Sequence, residues 1–301
     1  MSRRGWLLFV SMCVIWGIPY LLIKVAVSDL SPATLVLART AIAALLLLPI
    51  AAARSELRPV FRYWVPVLAF ATIEIAIPWM LLGVAEQQIS SSLTALLLAA
   101  TPLVGALIAR TTGVRERLGV QSGIGLLLGL LGVAAIVGLN LEGAGVGPLV
   151  AMAIVAVCYA IGPVVLQRYL AGVPALGVLA VALGVTALAY IPIAAFSLPE
   201  ETPRTTVIGS VVALAVVCTA IAFLLFFALI AEVGPVRATV ITYVNPAVAA
   251  VLGVAILDEK LTVGMGIGFV LVLVGSVLAT RPAMRSPKTG APTLEPARDS
   301  L

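Results

Sequence analysis

The chain contains no histidine, few charges and few aromatic side chains. Without histidine there is no imidazole base, and no His ligand for zinc or haem. Charged residues are 10% of the 301, whereas a soluble domain typically carries about 25%. The three cysteines, Cys13, Cys158 and Cys218, lie in apolar runs and form no C-x-x-C. They read as small buried hydrophobes, not as disulfide partners or metal ligands. No G-x-x-x-x-G-K-S/T loop occurs, so no nucleotide-hydrolysing site is encoded. An intramembrane Ser–His protease is excluded by the missing histidine. A two-aspartate protease is excluded because Asp29, Asp258 and Asp299 all fall outside the long apolar runs. What the chain does have is apolar surface: 62% hydrophobic residues and a mean hydropathy of +1.21. No water-soluble fold of this length hides so much. A cytosolic enzyme, a secreted domain and a nucleic-acid binder are therefore excluded.

Ten apolar segments are long enough to cross a bilayer, which takes about 20 residues. Their limits are 5–25, 33–53, 64–84, 89–109, 118–140, 147–167, 175–197, 206–230, 236–257 and 262–280. The fold class is thus all-α integral membrane, with ten transmembrane helices. Met1 to Arg4 precede a spanning-length run with no A-x-A cleavage pattern, which reads as an uncleaved first helix. The tail 281–301 is rich in Pro, Ser, Thr and charge and reads as disordered and cytoplasmic. Lys and Arg fix the orientation. With the N-terminus in the cytoplasm, fourteen of them fall inside, three (Lys24, Arg204, Lys260) outside, and Arg39 within the membrane. The net charge of +5 is then a topology signal. The expectation is a multi-pass protein of the cytoplasmic membrane with both termini inside.

The two halves repeat. Leu93 to Leu118 matches Arg237 to Leu261, with Pro102 on Pro246 and Glu116 on Glu259. Gly123, Ile124, Gly125 and Gly132 fall on Gly266, Ile267, Gly268 and Gly275; upstream, Pro19 falls on Pro163, Lys24 on Arg168 and Pro49 on Pro192. Five helices per copy is an odd number, so the second copy lies upside down. The matched loops agree: Arg115–Glu116–Arg117 is net positive, Asp258–Glu259–Lys260 net negative. The expected organisation is a first repeat at 1–141, an inverted second repeat at 142–280, and the tail at 281–301. Inverted repeats around a midplane site are characteristic of secondary transporters.

The stretch Thr219 to Thr262 and the first-helix WGIPYLLIK (Trp16 to Lys24) resemble the EamA family of the drug/metabolite transporter superfamily, over residues 5–280. The resemblance implies metabolite transport, commonly export of amino acids or related compounds, through a cavity between the repeats. The pattern departs at Ala160, which stands where Trp16 sits in the first repeat. Four-helix members of the superfamily use a first-helix glutamate, and this first helix has no acid.

Glu74, near the middle of the third span, is the sharpest candidate, because a mid-membrane carboxylate needs a partner or water. It reads either as a proton- or cation-binding group facing a wet cavity, or as a static partner of Arg39. Arg39 reads as a carboxylate-binding fork, a snorkelling side chain, or that same pair. Lys24 and Arg168 read as gate charges or as interface anchors. Trp16, Tyr20 and Lys24 share a helix face, as do Tyr159, Pro163 and Gln167. Such faces suit a cavity lining or ordinary packing. Thr94 and Thr101 with Ser91, and Thr242, Tyr243 and Asn245 with Thr239, surround Pro102 and Pro246. Each proline frees a carbonyl one turn earlier. These five prolines, Pro19, Pro78, Pro102, Pro163 and Pro246, read as hinges or as packing kinks. Gly125-x-x-x-Gly129 and Gly264-x-x-x-Gly268 read as packing seams.

The residues point to a secondary transporter moving a small metabolite by alternating access. A small-molecule substrate and membrane lipids are the implied partners, with protons as the candidate coupling ion. No nucleic acid, cofactor or metal is implied, and a monomer and a homodimer both stay open. A flippase for a lipid or lipid-linked substrate is the alternative. A channel would show a polar filter or charged rings, and neither is found.

Overall fold

A computed structural model describes residues 1–111, 120–138, 145–238 and 240–280. Those residues form helices and connecting turns, with no strand among them. The first apolar segment is two helices, α1 (Arg3–Ile15) and α2 (Pro19–Ala26). The break at 16–18 is followed by Pro19 in the first turn of α2, where a missing N–H is harmless. Next comes α3 (Pro32–Ala53). Its N-cap Ser31 accepts a hydrogen bond from Thr34 N at 3.1 Å, and Pro32 presets the first turn. A short α4 (Leu57–Phe61) turns the chain into α5 (Trp64–Phe70). A π-helical turn (Ala71–Ala76) joins α5 to α6 (Ile77–Glu86). The fourth segment is again divided, into α7 (Ser91–Leu98) and α8 (Thr101–Thr111). Then follow α9 (Val120–Gly138), α10 (Val146–Tyr169) and α11 (Ala175–Ala195). In the eighth segment α12 (Thr205–Ala215) meets α13 (Ala222–Val233) across a second π-helical turn (Val216–Ile221). The last described elements are α14 (Pro235–Ala238), α15 (Ile241–Leu257) and α16 (Val263–Thr280).

Among the described residues, seven helical stretches are long and apolar enough to span a membrane: Arg3–Ala26, Pro32–Ala53, Trp64–Glu86, Ser91–Ile108, Val146–Tyr169, Ala175–Ala195 and Thr205–Val233. Gln121–Val137, Ile241–Leu257 and Val263–Ala279 are apolar but shorter. Large apolar side chains such as Leu45, Leu127, Leu188, Val251 and Ile267 point outward. In water such a surface would drive association, whereas against lipid tails it is the natural exterior. With no water to prefer one face, the helices carry little amphipathic stripe, and burial inside the bundle selects small residues instead.

The most extensive packing joins α9 with α16, α3 with α11, and α6 with α10. The α7–α15 and α2–α12 pairs follow. The α9–α16 contact is backbone on backbone. A Cβ added at Gly132 would lie 2.7 Å from Gly268 O, and one at Gly268 would lie 2.6 Å from Gly132 O. Gly125, Gly129 and Gly275 face one another just as closely. Of the two small-residue stripes named from the sequence, the one on α9 lies in this seam, and α16 contributes Gly268 and Gly275.

One end of the bundle is tied by polar contacts. Arg204 and Asp29 form an ion pair at 2.6 Å. Ser31 and Ser197 share a hydrogen bond of 2.8 Å, and Thr34 Oγ1 donates to Ser197 O at 3.1 Å. The helices α2 and α6 end, and α3, α7, α12 and α16 begin, at this same end.

Candidate substrate and coupling site

Arg39 sits in the third turn of α3, buried at 7% exposure. A guanidinium there must be satisfied by protein. Its Nε donates to Thr219 Oγ1 at 3.0 Å, and its Cζ lies 3.7 Å from the centre of the Trp79 ring. Thr219 in turn donates to Leu214 O, five residues back, at 2.7 Å. That i−5 bond belongs to the second π-helical turn, which swings Thr219 inward to meet Arg39. Trp79, on α6, also hydrogen-bonds the Tyr159 hydroxyl. An α3 cation, an α6 ring, an α10 phenol and an α12–α13 hydroxyl therefore form one cluster inside the bundle. The partner of Arg39 is Thr219; the static Arg39–Glu74 pair is not formed.

Glu74 lies on the first π-helical turn. Pro78 lacks an N–H for the Glu74 carbonyl and its ring crowds that carbonyl; the wider turn just before relieves both. Glu74 Oε2 is buried without a hydrogen-bond partner. Across from it α10 presents Gly162, where a Cβ would overlap the Glu74 carboxylate. Cys158 and Tyr159, on the same stretch of α10, lie within electrostatic reach of Glu74. The Tyr190 hydroxyl, from α11, donates to Ala76 O at the end of the turn (2.8 Å).

Tyr20 on α2 lies within electrostatic reach of both Arg39 and Glu86. Trp16 packs on α13, with ring centres 5.4 Å from Phe223 and 4.7 Å from Phe226. It thus belongs to an aromatic contact between the first and eighth segments. Gly17, in the α1–α2 break, abuts α15, where a Cβ would lie 2.6 Å from Val248. Asn245 is buried at this crossing. In the orientation its neighbours require, its amide nitrogen donates to Ile241 O (2.9 Å) and to Cys13 O (3.1 Å). Gly17 N bonds Val14 O instead of Cys13 O, so Asn245 satisfies the carbonyl that the break leaves open.

Thr94 is fully buried and donates to Ser90 O at 3.0 Å within its own helix. Thr101 Oγ1 donates to Leu98 O at 2.8 Å. That is the carbonyl Pro102 frees, and it is closed by a hydroxyl rather than left open. Tyr243 is half-buried and Thr242 exposed, so the two sit on different parts of the α15 surface. The prolines behave unequally. Pro19 and Pro102 follow breaks and Pro78 follows a π-helical turn, while Pro163 and Pro246 sit inside the continuous α10 and α15. Matching positions in the two halves are therefore not matched in helix continuity. Thr239, Arg115, Glu116, Arg117 and the tail 281–301 lie outside the described residues.

Trp79, Gly162, Thr219 and Glu86 escaped the sequence reading. Thr219 falls on Glu74 only when the two π-helical turns are superposed; the sequence repeat sets Glu74 against Val217 or Cys218. Glu86 was placed beyond the third span, which was ended at residue 84. In the structure α6 runs to Glu86 and buries it completely. Lys24, from α2, donates to Glu86 O at 2.5 Å and to Ile89 O at 2.8 Å. Nearby, Glu259 accepts from Ser91 N, Ser91 Oγ, Ser92 N and Ser92 Oγ at 2.5–2.9 Å. Asp258 supports this with a left-handed backbone (φ 54°) that folds the chain back over Gly253. Burial pushes the Glu259 carboxyl up, but its hydrogen bonds from Ser92 and Ser91 outweigh that and hold it below the usual carboxylate range. Arg168 lies 5.7 Å from the Tyr169 ring at the far end of α10.

A helical bundle with seven spanning stretches and buried ionisable side chains turned inward has the make-up of a multi-pass membrane transporter. The chain belongs to the EamA-like transporter family, whose model matches residues 3–138 and 147–281. It is 28% identical over 255 residues to the uncharacterized inner membrane transporter YedA of Escherichia coli K12, covering 83% of this chain and 81% of that protein. The YedA proteins of strains O6:H1 and O157:H7 match to the same degree. A protein crystal structure superposes with a TM-score of 0.65 at 22% identity, covering 93% of this chain and 97% of the other. That likeness shows a shared fold.

Proposed function

We propose that the chain is a secondary transporter that exports a small metabolite, an amino acid or a related compound, across the cytoplasmic membrane. It works by alternating access between two inverted five-helix repeats, with ten spans and both termini inside. The observation that carries this reading is the polar cluster of Arg39, Trp79, Tyr159, Glu74 and Thr219. It is drawn from both halves of the chain, and its two π-helical turns begin at 71 and 216, within two residues of the sequence repeat offset. Widened turns at equivalent places in both halves aim a carboxyl and a hydroxyl at one interior region, as a midplane site requires.

The packing supports the symmetry. The fifth and tenth segments pair, as do the second with the seventh and the fourth with the ninth, while the first–eighth pair mirrors the sixth–third. A two-fold relation between the halves generates this pattern. In this orientation the tied end is the outer one. Arg39 then presents a fixed cation toward a substrate carboxylate, and Glu74 carries a coupling proton.

Proteoliposomes loaded with amino acids and small metabolites test the reading, with efflux followed by mass spectrometry against protein-free vesicles. A defined subset should leave, and Glu74→Gln should reduce its initial rate at least tenfold, about 1.4 kcal/mol of barrier. Release unchanged in Glu74→Gln removes Glu74 from the mechanism. Release of nothing at all turns the argument toward a lipid substrate.

A further inference from the structure

We propose that Glu86 is a proton-binding site at the tied end of the bundle, and that its protonation state decides where the Lys24 ammonium rests. The Glu86 side chain is fully buried, and neither carboxyl oxygen has a hydrogen-bond partner. A carboxylate cannot stay ionised there without a donor or a cation moving onto it. Lys24 is the available cation. It is held at the root of the Glu86 side chain, on the main-chain oxygens of Glu86 and Ile89. Those carbonyls are free because α6 ends there. Two of the three ammonium donors are used, while the carboxyl itself receives none.

The charged and titratable groups around Glu86 come from every neighbouring element that carries one. Lys24 and Tyr20 reach it from α2, Arg39 from α3, and Glu259 from the connection before α16. On α10, Tyr159 is coupled to Tyr20 and Arg39 rather than to Glu86, and α7 contributes the hydroxyls of Ser91 and Ser92. The arrangement has two states. With a proton on Glu86, the neutral carboxyl stays buried and Lys24 straps α2 to the end of α6. When the proton leaves to water, the carboxylate draws the ammonium off Ile89 O, so the hold of α2 on the α6–α7 connection is released and a Lys24–Glu86 ion pair between α2 and α6 takes its place. The path is short, because Gln87 and Gln88, the next residues, are exposed. The proton comes from bulk water at that end and returns to it, and no other bond changes. The inference rests on the transporter reading only for its consequence in coupling.

Infrared spectroscopy of the purified full chain in lipid nanodiscs, titrated with pH, tests this without a substrate. The wild type should show the carbonyl stretch of a protonated, non-hydrogen-bonded carboxyl group, lost as pH rises. Glu74 contributes to the same region, so Glu86→Gln should remove one component of the band, and Glu74→Gln should leave that component in place. An unchanged band in Glu86→Gln overturns the site. Band loss driven by sodium at constant pH also overturns it, in favour of a metal-cation site. Lys24→Met should move the midpoint by about one pH unit; an unmoved midpoint overturns the strap. If Glu86→Gln fails to fold, Glu86→Asp should shift the band frequency, and an unshifted band again overturns the site. Because no efflux is measured, this result stands apart from the outcome of the transport assay.

Discussion

Gly162 leaves room for Glu74. Any side chain there would occupy the space that holds the carboxylate, so the two positions are linked through volume rather than charge. Gly162→Ala is expected to destabilise the protein by about 1–3 kcal/mol, the usual range for overpacking. Glu74→Ala in the same background should recover most of that loss, a coupling of about 1–2 kcal/mol in a double-mutant cycle read by thermal unfolding in detergent. Strictly additive losses would mean that the carboxylate has another place to go. The sequence marked Glu74 and Arg39 because ionised groups are rare at mid-membrane. It did not mark Gly162, Thr219 or Trp79 as their neighbours. Glycine, threonine and tryptophan are ordinary in apolar helices, and only three-dimensional proximity gives them a role.

The Glu259 loop that clasps the start of α7 gives the tied end a defined response to acid. Glu259 is held below the ordinary carboxylate range as described, and Asp29 is held low chiefly by its hydrogen bonds from Arg204. A carboxylate depressed in the folded state stabilises fully above its unfolded value, near pH 4. That contribution is lost as pH falls through the folded value. Acidification below about pH 4 should therefore lower the melting temperature, and moderate alkali should not. Glu259→Gln should lose about 1–2 kcal/mol at neutral pH. Combined with Asp29→Asn, it should flatten the acid limb of the melting curve; a full acid limb in that double variant would exclude these two groups as its cause.

Element existence was legible from hydropathy, because apolar length alone specifies a spanning helix. Element continuity was not. Five prolines looked alike in sequence, yet Pro163 and Pro246 sit in unbroken helices whereas Pro19 and Pro102 follow breaks. Neighbouring helices decide whether freed backbone groups find partners, as Asn245 and Thr101 show. The end of α6 was also misjudged, because a glutamate reads as a boundary unless something polar covers it.

For the whole chain, the proposed inversion makes a simple demand on topology. Single reporter cysteines at 116, outside the described residues, and at 259 should react with a membrane-impermeant maleimide from opposite sides. Reaction of both from one side would exclude inverted repeats. The proposed repeat rests on prolines and glycines that keep a common spacing in the two halves of the sequence. The pairing of helices could not be read there, since it depends on which small residues face each other across a gap. The α9–α16 seam is the clearest case, and it has a mechanical consequence. Elsewhere side chains interlock like teeth, and displacing one helix past another means lifting each tooth over the next. Between Gly125, Gly129 and Gly132 on one side and Gly268 and Gly275 on the other the teeth are few: Val272 seats on Gly132, Ile136 on Gly268 and Leu278 on Gly125, and the rest is main chain on main chain. Such a contact is a keyed joint with no slack, and a single methyl group added to the seam would act as grit.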